Sequence, residues 1–339
     1  MHRRIGFLSF GHWQRAEWSQ TRTAQDALAQ TVELAVAAEE LGVDGAFVRV
    51  HHFARQLSAP FPLLAAIGVR TSRIEIGTGV IDLRYENPLY MAEDAAVADL
   101  LSGGRLQLGV SRGSPEPAYH GFEAFGYAEP DARAKLDLFM AAISGTGVVH
   151  ADVGGRPGAG MLPIQPQSPG LAERIWWGSG SRETAKWVGE QGLNMMSSTL
   201  LLEDTQVPFD ELQAEQIQIF RDAWREAGHQ REPRVTVSRS VIPITTDLDR
   251  QLFGRDANED QVGWLDGAIS RVGRTYSGEP DRIAEELAQD AAVAAADTVL
   301  LTVPNQLGVD YNARLLGTIV EHVAPAIGWS PTTSPSADA

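Results

Sequence analysis

The stretch AFVRVHH, residues 46–52, is a short apolar run that ends in two histidines. A second run of the same kind, RLQLGVSRG at residues 105–113, ends in serine, arginine and glycine. Apolar runs of this length between turn signals are typical of buried strands. Parallel α/β enzymes keep their chemistry at the C-terminal ends of such strands, so the two polar ends predict one shared site.

Strand and helix signals alternate outward from these two runs along the whole chain. The predicted strands cover residues 3–10, 46–50, 74–81, 105–111, 174–180, 193–197, 234–245 and 298–303, and the predicted helices cover residues 24–41, 61–69, 88–101, 131–143, 182–191, 209–227, 280–295 and 311–323. Eight strand–helix units predict a (β/α)8 TIM barrel. A doubly wound sheet usually has about six strands and a Gly-rich first turn, which this chain lacks.

Two segments interrupt the alternation. Residues 144–171 are rich in glycine and proline without a period, and residues 246–279 form a second excursion that contains Trp264 and Tyr276. The alternation resumes after each segment, so we predict two insertions in a single barrel domain that spans residues 1–329. We expect the second insertion to act as a mobile lid. The low apolar content of residues 330–339 predicts a disordered tail.

The composition excludes several classes of protein. The chain has 339 residues, of which 43% are hydrophobic, and its net charge of −16 has the wrong sign for nucleic acid or an anionic membrane. It contains no cysteine, so it has no disulfide framework, no thiolate metal site and no cysteine nucleophile. Because no apolar run is long enough to span a membrane and MHRRIGFLSFGHW is too polar for a signal peptide, we expect a cytoplasmic protein.

The two histidines at residues 51 and 52 are adjacent in the sequence. In a strand, adjacent residues point to opposite faces, so at most one of His51 and His52 looks into the barrel mouth. A hydrolytic metal site would need histidines two residues apart on one face, so we expect no metal here. From the spacing alone, a histidine satisfied by backbone at a strand end is an equally good interpretation.

The strand at residues 105–111 has two different faces. Leu106, Leu108 and Val110 should pack on helices, whereas Gln107, Gly109 and Ser111 should face the barrel interior. The small residues near the mouth leave room for a ligand.

Arg112 and the turn GSGSRET at residues 178–184 predict an anion site. At the lip of the barrel, Arg112 can bind an anionic group in a bidentate manner, although an ion pair with a rim carboxylate is the commoner fate of such an arginine. The turn opens a helix, so its backbone N–H groups and the Ser181 and Thr184 hydroxyls can also bind an anion. It is not the dinucleotide fingerprint, because Glu183 replaces the third glycine. Together, across the barrel mouth, the arginine and the turn predict a phosphate clamp.

Five motifs follow one another in a recognisable order along the chain: HHF at residues 51–53, IGTGV at 76–80, NPLYMAED at 87–94, GRLQLGVSRG at 104–113 and WWGSGSRETAKWVGEQG at 176–192. In this order they resemble the bacterial luciferase-like family of flavin-dependent monooxygenases, over roughly residues 3–326. The last two motifs and their order are the most specific part. The resemblance implies a flavin-binding (β/α)8 barrel that forms a homodimer.

The resemblance also assigns roles to single residues. His51 matches the family histidine that assists chemistry on the flavin peroxide. Arg112 matches the arginine that binds the flavin phosphate. Gly180, Ser181 and Thr184 match the phosphate loop.

Further matches concern the flavin ring. Gly79 and Val80 match a non-proline cis peptide that lies against the isoalloxazine. Ser111, which counts among the cofactor-binding positions, replaces the reactive cysteine of the light-emitting subunit. Val50 stands where an acidic residue often precedes the histidines. These two departures argue against light emission from long aldehydes but leave flavin binding intact.

By the same resemblance, the activity is that of an FMN-dependent monooxygenase. Reduced FMN, supplied by a separate flavin reductase, would react with dioxygen to give a flavin hydroperoxide that oxidises a small organic substrate. Two alternatives stay open: a deazaflavin-dependent hydride-transfer oxidoreductase on the same barrel, and a non-catalytic flavin-binding protein. The HHF motif, in place of an acidic residue before a single histidine, favours FMN. The substrate depends on loop shape, so the sequence does not name it.

Overall fold

The computed structural model describes residues 3–113, 117–150, 160–201, 203, 205–254, 259–265 and 268–331. The strands are β1 (Arg4–Ser9), β2 (Gly45–Val48), β3 (Glu75–Thr78), β4 (Ile81–Asp82), β5 (Leu106–Ser111), β6 (Val149–His150), β7 (Met161–Leu162), β8 (Ile175–Ser179), β9 (Asn194–Ser197), β10 (Leu200–Leu201), β11 (Val235–Pro243), β12 (Gln261–Leu265), β13 (Ala268–Val272), β14 (Thr275–Gly278) and β15 (Thr298–Thr302). The helices are α1 (Ala24–Glu40), α2 (Pro60–Arg70), α3 (Pro88–Leu101), α4 (Pro117–Ala124), α5 (Ala132–Ile143), α6 (Arg182–Glu190), α7 (Phe209–Glu226), α8 (Asp247–Phe253), α9 (Pro280–Ala288), α10 (Ala291–Ala295) and α11 (Val309–Thr318). None of these described helices is long and apolar enough to cross a membrane.

Eight parallel strands form a closed barrel, which confirms the predicted fold class. The order around the barrel is β1, β2, β3, β5, β8, β9, β11 and β15, and β15 pairs again with β1. Strand β11 completes the ring, because it pairs with β9 at Val235 and with β15 at Thr236. Neighbours in the barrel are also neighbours along the chain, so strand ends that follow one another in sequence lie side by side.

Local signals explain where the helices begin and end. Thr23 caps α1: its side chain accepts a hydrogen bond from Asp26 N at 3.1 Å, and the Asp26 carboxylate accepts one from Thr23 N at 2.9 Å. Gly42, at φ +85°, follows the end of that helix in a conformation that side-chain-bearing residues rarely adopt. Proline, which suits the first turn, opens α2, α3 and α9.

Alternate residues of each barrel strand point to opposite faces. The outward residues Leu106, Leu108 and Val110 belong to the large buried cluster between the barrel and its helices, as predicted. A second cluster fills the barrel interior and consists of Leu8, Phe47, Trp176, Met196 and Leu300, with Phe10 and Val80 packed against it. The interior is therefore a packed core rather than a pore.

The N-terminal end of the barrel is closed by a polar network. Arg234, just before β11, pairs with both carboxylate oxygens of Glu75 at 2.9 Å, and its guanidinium lies 5.0 Å from the Trp176 ring centroid. Gln107 accepts a hydrogen bond from Trp176 Nε1 at 2.9 Å. These contacts fill the N-terminal end of the barrel, so the C-terminal ends of the strands remain as the place for a site.

Both predicted insertions contain structure that the sequence pattern did not reveal. The first holds the antiparallel β6–β7 pair, and its residues 151–159 lie outside the described part of the chain. In the second, α8 begins the segment and β14 pairs in parallel with β11 at its end, so Tyr276 is buried. Helix α8 packs against β11 and β14 pairs with it, so both ends of the segment are joined to the barrel, and the β12–β13 hairpin lies between them. That this segment acts as a mobile lid stays a prediction.

Three further differences concern helices and the tail. Helix α4 was missed, because Gly121 interrupts a short sequence without a clear period. The predicted helix at residues 280–295 is two helices, because Asp290 caps α10 by accepting a hydrogen bond from Val293 N at 2.8 Å. The predicted disordered tail lies outside the described residues from residue 332 onward.

Candidate active site

His51 lies at the mouth of the barrel, on the inner side of the chain that continues from β2. Its backbone N–H donates to Leu57 O at 2.9 Å, and its Nε2 accepts a hydrogen bond from Arg49 Nε at 3.3 Å. The contact between residues two apart shows that both side chains lie on one face. The Phe10 ring, which follows β1, stacks on His51 with centroids 6.2 Å apart and 16° between the planes.

His52 points to a different environment. Its ring packs edge-on against Tyr85 at 5.4 Å and against Phe122 of α4 at 5.0 Å. His52 therefore packs against α4, a helix that the sequence pattern missed. Phe53, which follows, tilts against the same Phe122 ring and adopts a φ of +55°, uncommon for a residue other than glycine.

His12 is a titratable group of this region that the sequence analysis missed. Its ring stacks on Phe10 with centroids 5.5 Å apart, and Asn305 holds its backbone through hydrogen bonds at 3.0 and 2.8 Å. Burial, and then the nearby His51, lower the pKa of His12 below its ordinary value. The sequence does contain a signal for His12: the tripeptide GHW follows the first strand, just as HHF follows the second.

The peptide bond between Gly79 and Val80 is cis, as predicted. Two glycines lie close to this peptide bond. A Cβ on Gly178 would lie 3.3 Å from Ser111 Cβ and 3.6 Å from the Val80 methyl groups, and a Cβ on Gly109 would lie 3.0 Å from Val80 Cγ1. Val80, Ser111 and Gly178 therefore lie close together and form one small patch on the inner wall.

Arg112 follows β5 directly and is exposed. It makes no hydrogen bond or ion pair with any residue that the structure describes, so the rim ion pair considered from the sequence is not found there. Strand β5 pairs with β8 at Val110 and Trp177, and continuing this register sets Arg112 beside Ser179. The arginine and the turn after β8 are therefore neighbours. The expectation that they face each other across the mouth is corrected, because consecutive strands of the barrel are adjacent.

The turn after β8 forms the capped N-terminus of helix α6. Ser181 is the N-cap of α6: its Oγ accepts from Thr184 N at 3.2 Å and donates to Thr184 Oγ1 at 3.0 Å. The carboxylate of Glu203 lies at this helix end and accepts a hydrogen bond from Arg182 N at 2.6 Å. Glu203 also forms an ion pair with the Arg182 guanidinium, and the helix dipole adds to the attraction. Glu203 is far from the turn in sequence, and no local signal predicts it.

An ion pair supports the loop next to Ser111. Asp82 pairs with Ser111 in register between β4 and β5, and Arg84 Nη2 donates to Asp82 Oδ2 at 2.6 Å. A Cβ on Gly113 would lie 1.9 Å from the same Asp82 oxygen, so only glycine fits after Arg112. The end of β5 is therefore held in place by its neighbour.

Glu86 lies in the following loop and is the carboxylate with the clearest upward shift. Burial raises the pKa of Glu86 to about 7, against the attraction of Lys135. The Lys135 ammonium donates to the backbone oxygens of Arg84 and Glu86 at 2.9 and 2.8 Å, which ties α5 to this loop. Among the described residues, no group of three or more histidine, aspartate or glutamate side chains could hold a metal ion.

A closed (β/α)8 barrel with polar groups gathered at the C-terminal ends of its strands is the architecture of TIM-barrel enzymes. The chain belongs to the luciferase-like monooxygenase family, whose sequence profile matches residues 7–298. This is a family of enzymes, and its relatives include monooxygenases and other oxidoreductases.

Two relatives and one solved structure illustrate the similarity. The chain is 30% identical over 211 residues to the alkanal monooxygenase alpha chain of Photobacterium leiognathi, covering 60% of this chain and 56% of that one. It is 34% identical over 177 residues to the F420-dependent glucose-6-phosphate dehydrogenase of Kribbella flavida, covering 48% and 50%. The oxygenating constituent of 3,6-diketocamphane monooxygenase from Pseudomonas putida, solved with FMN, superposes with a TM-score of 0.67 at 16% identity over 96% of this chain and 99% of its own. This last likeness shows the fold alone. The sequence matches span only about half the length of these relatives.

Proposed function

We propose that the protein is an FMN-dependent monooxygenase that oxidises a small organic substrate with dioxygen and receives reduced FMN from a separate reductase. The observation that carries this proposal is Arg112, an exposed cation without a partner among the described residues. It stands next to the capped helix start at Ser181 and Thr184. A phosphate group is the ligand that such a pair of donors suits.

The residues at the strand ends fit the two parts of FMN. Arg112, the backbone of Gly180 and the hydroxyls of Ser181 and Thr184 would hold the phosphate. The patch formed by Gly79, Val80 and Ser111 would lie against the flat ring, next to Gly178, which has no side chain. Glu203 already accepts a hydrogen bond from Arg182 N–H at the helix start. The phosphate would either displace the Glu203 carboxylate from this donor or bind without it.

The bound reduced flavin would supply the activation of dioxygen, and the protein would supply position and proton control. His51 is the residue that we propose for the proton, because an imidazole can donate or accept a proton and this one faces the mouth. Its ring is oriented by Arg49 and by stacking on Phe10. The β12–β13 hairpin would limit the access of water and select the substrate.

A deazaflavin-dependent hydride transfer is the second candidate, favoured by the similarity to the F420-dependent dehydrogenase. Calorimetric titration of the apoprotein with FMN and with a deazaflavin coenzyme separates the two. We expect FMN to bind more tightly, and reduced FMN with a panel of aldehydes, ketones and sulfonates to show substrate-dependent oxygen consumption. Tight binding of the deazaflavin alone would reverse the assignment, and binding without turnover of any substrate would favour a non-catalytic flavin-binding protein.

We also propose a homodimer that uses the faces of α2 and α3. These packed helices expose five large apolar side chains: Val69, Tyr90, Val97, Leu100 and Leu101. Exposed apolar area of this extent on neighbouring helices is typical of a protein interface. Light scattering on the purified protein should give twice the mass of 36.7 kDa, and Leu100→Glu should shift it toward the monomer. A parent that stays monomeric at micromolar concentration would end this proposal.

A further inference from the structure

A guanidinium lies beside the candidate histidine at the barrel mouth. Arg49 Nε donates a hydrogen bond to His51 Nε2 at 3.3 Å. The same guanidinium lies over the Phe10 ring, 5.5 Å from its centroid, and that ring stacks on His51. The three side chains come from the ends of β1 and β2, which pair in parallel, so the barrel itself holds them together.

The direction of this hydrogen bond has a chemical consequence. An arginine side chain only donates hydrogen bonds, so the nitrogen that it contacts has to accept. His51 Nε2 therefore presents a lone pair to Arg49, and the proton of the neutral ring is on Nδ1. In histidines generally, the hydrogen bond made by one ring nitrogen sets which nitrogen is protonated.

We propose that Arg49 is a positioning residue that holds His51 in the Nδ1–H tautomer, so that His51 acts on the reaction through Nδ1. The effect on turnover rests on the function proposed above, whereas the tautomer does not depend on it. In an unconstrained neutral histidine the Nε2–H form is the commoner one. Loss of Arg49 should therefore exchange the donor and acceptor nitrogens of the His51 ring without moving the ring.

Three variants separate this role from simple packing. Arg49→Met is similar in length and has no donor, and Arg49→Leu is a second variant without a donor in case the first does not fold. Arg49→Lys keeps a cation and a donor. Arg55→Leu is the matched control, because Arg55 comes from the same segment and also lies over an aromatic ring, that of Trp13 at 5.5 Å, rather than over the Phe10 ring that stacks on His51.

Nitrogen-15 NMR of the histidine rings reads the tautomer directly, in the protein without flavin. The His51 signals are identified by their loss in His51→Gln. We expect the parent and Arg55→Leu to show Nδ1–H at His51, and Arg49→Met to show mainly Nε2–H. Arg49→Lys, which keeps a donor, should show more Nδ1–H than Arg49→Met. A parent ring that carries its proton on Nε2, or a ring in Arg49→Met that keeps it on Nδ1, would overturn the proposal.

Turnover supplies the second measurement. Misplacing a group at the reacting centre costs about a hundredfold in rate, so we expect Arg49→Met to lower coupled substrate oxidation by roughly ten- to a hundredfold. FMN affinity should stay unchanged, and Arg49→Lys should recover part of the rate. If the tautomer changes while coupled oxidation does not, the claim that His51 acts through Nδ1 is wrong. If no form binds flavin, the proposed function fails and the NMR result still decides the role of Arg49.

Discussion

Replacing Arg112 by alanine tests the phosphate end of the site. Arg112 is exposed and makes no hydrogen bond or ion pair with the described residues. Its removal therefore breaks no described contact of the fold. We expect the free energy of unfolding to change by less than about 0.5 kcal/mol, as for most surface substitutions. A loss of FMN affinity in this variant can then be assigned to the lost contact with FMN rather than to a change in the fold.

The size of that loss follows from the kind of contact. A hydrogen bond to a charged group contributes about 1.5–3 kcal/mol. Because Arg112 is exposed, solvent and salt screen part of this energy, and we take the lower part of the range, about 1.5–2 kcal/mol. At about 1.4 kcal/mol for each factor of ten, Arg112→Ala should raise the Kd for FMN roughly ten- to thirtyfold at low ionic strength. The difference should shrink as salt is added.

Calorimetric titration with anaerobically reduced FMN measures this change. Riboflavin, which lacks the phosphate, is the matched ligand, and Arg225→Ala is the matched protein, because Arg225 is an exposed arginine on α7 that pairs with Asp222. Arg112→Ala should weaken FMN and leave riboflavin unchanged, and Arg225→Ala should affect neither. If Arg112→Ala binds FMN as tightly as the parent, or weakens both flavins equally, Arg112 does not bind the phosphate.

Three further predictions concern proton transfer and stability. His51→Ala should keep FMN affinity, while coupled oxidation falls about 10²–10⁴-fold and hydrogen peroxide release rises. His52→Ala should instead lower stability, because its ring contacts with Tyr85 and Phe122 are lost. If turnover assays show that His52→Ala is inactive and His51→Ala is active, the roles of the two residues are exchanged. Because the pKa of Glu86 is raised from 4.5 to about 7, the native state holds this proton longer than the unfolded state, and stability falls as pH rises between these values. Urea unfolding should therefore show Glu86→Gln about 1–3 kcal/mol more stable than the parent at pH 8 and equal to it at pH 4; equal stability at both pH values would contradict the shift. Asp290 and Arg239 form a buried pair with contacts of 2.6 and 2.9 Å, so Asp290→Ala should cost about 3–5 kcal/mol in urea unfolding, and a loss below about 1 kcal/mol would show that the pair is not structurally important.

The structure explains why part of the candidate site could be predicted and part could not. The inward face of Ser111 and the place of Arg112 at the lip were expected from the strand pattern, and the Gly79–Val80 cis peptide was implied by the family resemblance of a short motif. Each of these depends on a few consecutive residues. Glu203 at the start of α6 was not expected, because it reaches the helix from a loop twenty-one positions beyond Arg182.

The sequence by itself determined the alternation of strands and helices, the eight-stranded barrel and the end of it at which polar groups collect. These follow from local periodicity, because a strand repeats every two residues and a helix every 3.6. Only the tertiary structure decided which side chains meet there. The parallel pairing of β1 with β2 brings Phe10 beside Arg49 and His51, and an unpredicted helix brings Phe122 to His52. Such contacts join separate elements, so they depend on register and strand order, which no local pattern specifies.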